Sequence, residues 1–185
     1  MNAATINRVK AKSKDQIIRL GKHDLFAEAL TKVAMDGHVN DDLVAKSHAV
    51  LKEEDPSMNA AWVRKYMRNA VITSDDEVLL GEIFDRIKAV HDLIEDKKIA
   101  KRIYTRTHMI SIVPMIKQSL DDGLSDQQTM EWIVTFFAGS RSATISSEYN
   151  RAAGTGSGKS SNVRIRLNEV AKSYQNYFKK GLIAA

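Results

Sequence analysis

The sequence predicts an all-α protein, a multi-helix bundle of about eight helices with no significant β-sheet, and three observations predict it. Apolar residues recur at three-and-four spacing along most of the chain, which is the period of one helix face. Capping patterns stand at the head of several of these runs. The alternation of β-branched and polar residues that marks a strand is nowhere sustained. With 185 residues and 43% hydrophobic content the chain can bury a core without disulfides or metals.

Taken in order, Ser13-Lys14-Asp15-Gln16 has the form of a capping box for a short helix that stops near Gly21. From Asp24, Leu25, Phe26, Ala29, Leu30 and Val33 form one apolar face that ends at Gly37. Asn40 is expected to cap a helix bearing Leu43, Val44, Val50 and Leu51, which Pro56 terminates. Asn59 caps the next, whose Trp62, Val63, Tyr66 and Met67 form a stripe opposite Arg64, Lys65, Arg68 and Asn69. Ser74 to Glu77 reads as a second capping box at the head of the longest helix, the expected centre of the core. A basic helix with Lys97, Lys98, Lys101, Arg102 and Arg106 follows; then Thr107 is expected to cap a helix containing Pro114. The order of elements between Leu25 and Ala70 faintly repeats in the later stretch that begins at Asp122-Gly123.

Composition narrows the function. No cysteine is present, so thiol catalysis, disulfides and Cys-ligated zinc are excluded. The five histidines fall in separate segments without metal-ligand spacing, and no nucleophile–base pair or paired carboxylates stand out. A non-enzymatic protein with no cofactor and no metal is expected. The N-terminal residues lack a signal-peptide core, and no apolar run reaches the ~20 residues of a membrane span, so a cytoplasmic protein without membrane contact is expected.

The formal charge of +5 is unevenly spread. From Phe137 onward eight basic residues stand against two acidic ones, and from Met1 to Lys22 six stand against one. The middle is therefore net acidic between two basic ends, a pattern that suits a polyanion, because each phosphate contact releases condensed counterions. The domain reading follows: a basic arm and short helix over 1–22, a helical body over 23–112, a helix-turn-helix over 113–152, a Gly/Ser linker over 153–161 and a basic amphipathic helix over 162–185.

The stretch from Lys117 to Ala152 carries the functional expectation. A helix ends at Asp122-Gly123, and Ser125-Asp126-Gln127-Gln128 is a third capping box, for a helix with Met130, Ile133, Val134 and Phe137 on one face. After Ala138-Gly139, Ser140 or Ser142 is expected to cap a helix with Ile145, Tyr149 and Ala152 inward. Over Ser119-Leu120, Gly123-Leu124-Ser125, Ser140 to Ser146 and Tyr149-Asn150-Arg151-Ala152 the chain resembles the helix-turn-helix superfamily of phage and plasmid DNA-binding proteins. The resemblance implies that the helix after Ser140 enters the major groove of double-stranded DNA. Arg141 and Asn150 would then read bases, while Ser140, Ser142, Thr144 and Arg151 hold the backbone and Ser147 points outward beside them. It also implies a transcription regulator, partition or packaging-initiation factor of a mobile element.

Ala153 to Ser160 fits a relaxed phosphate-loop pattern, but no apolar strand feeds it and too little chain follows for a nucleotide fold. A flexible linker whose Lys159 touches phosphates is the expectation, with Arg164 and Arg166 adding backbone contacts from the helix beyond. Val163, Leu167, Val170, Tyr174 and Tyr177 recur at heptad spacing, open either to packing on the body or to a homodimer. Two other functions fit the same residues: a protein-binding adaptor or inhibitor that contacts a host protein through the acidic middle and the regions of Trp62 and Trp132, and an RNA-binding helical bundle.

Overall fold

A computed structural model of the chain describes residues 10–28, 38–138 and 146–181. Ten helices are described: α1 Lys14–Leu20, α2 Asp24–Glu28, α3 His38–Lys52, α4 Ala60–Asn69, α5 Ser74–Leu93, α6 Lys97–Ile103, α7 Arg106–Asp121, α8 Asp126–Ala138, α9 Ser147–Ala153 and α10 Ser160–Gly181. No strand is present among the described residues. Among the described residues the longest helix is α10, at 22 residues, rather than α5, at 20.

Helix α7 occupies the centre. Met109, Ile110, Ile112, Val113 and Ile116 are buried on more than one side of it, because α3, α5 and α10 all pack against it. Pro114 is accommodated inside the helix. A helix hydrophobic around most of its circumference belongs in the interior, and that property, more than length, selects the central element. Around this axis α5 packs on α8, α8 on α6 and α10, α9 on α10, and α4 on α3, with α1 against α3 and α5 and α2 against α5. One contiguous core runs from Ile17 to Tyr174, and the expected boundary at 112/113 falls inside α7.

Several helix starts differ from the sequence reading by the choice of cap. Thr73, not Ser74, caps α5: its hydroxyl accepts from the Asp76 amide at 3.2 Å, and the Asp76 carboxylate accepts from the Thr73 amide at 3.0 Å. Asp76 is also held by Lys52 at 2.6 Å, so the box is anchored to α3. Thr105 rather than Thr107 caps α7, which places Arg106 at the head of that helix instead of the tail of α6. Ser13 makes no capping bond. Its hydroxyl accepts from the Ile72 amide at 2.8 Å and ties the N-terminal segment to the α4–α5 connection. Asn40 lies inside α3 and donates to the Gly21 carbonyl at 2.9 Å. The cap at Asn59 and the box at Ser125–Gln128 form as expected.

Candidate functional site

The Gly/Ser-rich stretch between α9 and α10, expected as a flexible linker, is a turn docked on the start of α4. The Gly158 carbonyl accepts from the Met58 amide at 2.8 Å and from the Ser57 hydroxyl at 2.9 Å. Within the turn, Ser157 N–H donates to Gly154 and Lys159 N–H donates to Gly156, whose φ of +75° suits glycine. A Cβ on Gly158 would lie 3.3 Å from the Asn59 nitrogen and the Met58 carbonyl carbon, so the close approach of two backbones favours glycine there.

Beneath this turn lies a cleft of about 530 Å³. Its polar wall comprises Asp42 and Lys46 of α3, Arg106 of α7, Lys159 of the turn and Arg166 of α10, and Leu43, Met58 and Ile110 supply apolar surface. Asp42 is buried and bridges two cations, Lys46 Nζ at 2.7 Å and Arg106 Nη2 at 2.6 Å. Lys159 is exposed and has no ion-pair partner among the described residues.

Arg166 is 1% exposed. Its Nε donates to Ser111 Oγ at 3.0 Å, and its Nη1 donates to the carbonyls of Ala152 at 2.8 Å and Ser157 at 2.7 Å. These acceptors are neutral. Burial pulls its pKa below the ordinary arginine value, and no carboxylate pairs with it among the described residues. The cleft therefore brings four cations together against one carboxylate, Asp42.

Three long helices also begin at this cleft: α4 behind Asn59, α7 with Arg106 and Thr107, and α10 directly after Lys159. The first amides of each lack intrahelical acceptors, and each start carries positive dipole potential. The arrangement favours anions.

The residues expected to contact DNA separate into four groups. Ser140, Arg141, Ser142 and Thr144 lie outside the described residues. Ser147, Asn150 and Arg151 are exposed together on α9, which Ser146 caps, not Ser140 or Ser142, by accepting from the Tyr149 amide at 3.0 Å. Lys159 enters the cleft, and Arg164 is exposed on α10. Arg166 is an interior residue, 1% exposed, that lines the inner wall of the cleft and spends its hydrogen bonds on joining α7, α9 and the glycine turn. Its position was legible in spacing, since it stands three residues after buried Val163 and four before buried Val170, on their face of the helix.

Helix α9 is anchored by Tyr149 and Ala152, both fully buried. The Tyr149 hydroxyl lies 2.8 Å from His108 Nδ1, and the two rings stack at 5.6 Å. Burial, with repulsion from Arg102 and Arg166, pulls the His108 pKa down to about 4.

The heptad seam of α10 is used within the chain. Val163, Val170 and Tyr174 are buried, Leu167 and Tyr177 are packed against the same core, and Tyr174 meets Trp132 edge-on at 5.0 Å. Trp132 is itself fully buried, so of the two tryptophans only Trp62, stacked on Tyr66 at 5.1 Å, retains surface.

Lys46, Arg106 and Asp42 were not singled out as a site by sequence reasoning. Asp42 and Arg106 are 64 positions apart, and no periodicity joins them. Among the described residues no cluster of three or more His, Asp or Glu side chains could hold a metal ion, and no helix is long and apolar enough to cross a membrane. No protein-family model, curated protein sequence or solved structure matches the chain.

Proposed function

We propose that the protein binds double-stranded DNA without performing chemistry on it, with α9 and the cationic surface beside it as the contact. The observation that carries this reading is where cations have acidic partners. In the body, Arg64, Lys65 and Arg68 of α4 are exposed without an ion pair among the described residues, but many other cations are paired: Arg19 with Glu77, Lys46 and Arg106 with Asp42, Lys52 with Asp76, Arg86 with Asp126, and Lys117 with Asp121. Along α6, α9 and the start of α10 they are not: Lys101, Arg102, Arg151, Lys159 and Arg164 are exposed and have no ion pair among the described residues. A paired surface cation is already neutralised, whereas an unpaired one can take a phosphate in exchange for a released counterion.

Ser147, Asn150 and Arg151 share the outward side of α9 by their three-and-four spacing. Asn suits adenine, and Arg and Ser suit backbone oxygens. Glu148, also exposed on α9, opposes a phosphate and would help set the orientation of docking.

The test is the affinity for a duplex selected from a random pool, measured by fluorescence anisotropy across a salt series. The reading requires log affinity to fall linearly with log salt, and Arg151→Ala to reduce the slope by about one. Asn150→Ala should cost ~1–3 kcal/mol on the selected site and far less on unrelated duplex. Absence of salt-dependent duplex binding removes the proposal.

A further inference from the structure

We infer that the cleft beneath the glycine turn is a binding site for a phosphomonoester group, carried either by a free nucleotide or by the 5′ end of a nucleic-acid strand. The inference does not rest on duplex binding by α9, because it is drawn from a different set of residues.

The charge balance favours a dianion. Lys46, Arg106, Lys159 and Arg166 face a single carboxylate, Asp42, which both Lys46 and Arg106 already share at 2.7 and 2.6 Å. A carboxylate ligand would leave most of the remaining charge uncompensated. A phosphomonoester carries roughly −1.5 to −2 at neutral pH and offers three acceptor oxygens.

The donors are held in place. Asp42 orients Lys46 and Arg106 from one side, while Arg166 bonds the Ser157 carbonyl and fixes the turn that carries Lys159 on the other. Arg166 is a buried cation whose hydrogen-bond acceptors are all neutral, so its charge adds to the field of the cleft without being cancelled inside the protein. The starts of α4, α7 and α10 contribute potential of the same sign.

The size of the cleft indicates what accompanies the phosphate. At about 530 Å³ it exceeds what a phosphate alone would fill and lies within the range of small-molecule sites. Leu43, Met58 and Ile110 provide an apolar wall against which a sugar edge or base could lie.

The experiment is calorimetric titration of the full chain with a nucleoside 5′-monophosphate and with inorganic phosphate, alongside 5′-phosphorylated and 5′-hydroxyl single-stranded oligonucleotides of one sequence. Saturable binding of the monophosphate, competed by inorganic phosphate, is expected. Lys159→Ala should weaken it at least about tenfold, and Lys159→Arg should retain it, because one charge-assisted hydrogen bond is lost or kept. Lys172→Ala removes an equal charge from the far part of α10, where Lys172 pairs with Glu169, and should change affinity less than about twofold. Preference for the 5′-phosphorylated strand over both the hydroxyl strand and the mononucleotide assigns the site to strand ends; equal or tighter binding of the mononucleotide assigns it to free nucleotides. Equal losses in Lys159→Ala and Lys172→Ala would overturn the inference, as would failure of every phosphomonoester to bind saturably. Duplex binding through α9 is read separately by the Arg151→Ala slope, so either result can fail alone.

Discussion

At the scale of single residues, Arg166 and His108 show how burial changes the meaning of a polar side chain. The planar guanidinium of Arg166 joins three elements through Ser111 Oγ and the carbonyls of Ala152 and Ser157. A lysine ammonium cannot reproduce that fork. Arg166→Lys should therefore destabilise the fold by ~3 kcal/mol, lowering the thermal midpoint by roughly 6–12 °C in calorimetry. His108 makes stability depend on pH. Its folded pKa of about 4 lies below the ordinary value of 6.5, so at intermediate pH the unfolded chain binds a proton that the folded chain does not. Stability from this residue is full above pH 6.5, declines as pH falls through the window from 6.5 to about 4, and is lost below it. The loss amounts to about 3 kcal/mol. Burial lowers the His48 pKa as well, which deepens the decline in the same direction. Denaturant midpoints measured from pH 7 to pH 4 should fall, and His108→Gln should remove the larger part of that fall.

At the scale of elements, helices were legible in the sequence because their period and caps are local, whereas their ends and neighbours were not. Asn59 and the Ser125–Gln128 box were readable because the cap and its target lie within three residues. Ser13 had the same local form, but its hydroxyl is used by Ile72, 59 positions away, and only tertiary packing decides that competition. The glycine turn is the same lesson for the site. Its composition reads as a spacer, yet Gly158 is chosen by contact with Met58 and Asn59, which are remote in sequence. Of the cleft cations only Lys159 and Arg166 carry an anion-contact expectation from the sequence, because basic residues beside a glycine run are a local signal and the Asp42–Arg106 pair is not. Gly158→Val should force the turn away from α4, since both nearest atoms to a new Cβ are backbone and cannot rotate aside. The expected cost is ~1–3 kcal/mol, with loss of hydrogen-exchange protection at the Met58 amide that now donates to Gly158.

At the scale of the whole molecule, the C-terminal helix binds the two halves of the chain into one cooperative unit. Helix α10 contacts α7, α8 and α9, and its Val163, Val170 and Tyr174 enter the core that also contains Ile17 and Phe26. A seam buried in this way stabilises the monomeric fold, so a charge placed on it should unfold the chain instead of separating subunits. Val170→Asp puts a carboxylate at a fully buried position and should cost about 4 kcal/mol or more. The two tryptophans report on opposite regions: Trp132 is buried against Tyr174, and Trp62 stacks on Tyr66 in α4. With Trp132→Phe, fluorescence reports Trp62 alone, on α4, whose preceding residue Met58 donates to the Gly158 carbonyl of the glycine turn that leads into α10. If the core is continuous, Val170→Asp in that background shifts the Trp62 transition and the far-UV circular dichroism transition to the same lower denaturant concentration. A Trp62 transition unmoved by Val170→Asp while the dichroism loses part of its amplitude early would mean that the N-terminal helices fold without α10. That outcome would also detach the cleft from the stability of the body, because Lys46 and Asp42 would then remain in place when Lys159 and Arg166 had left.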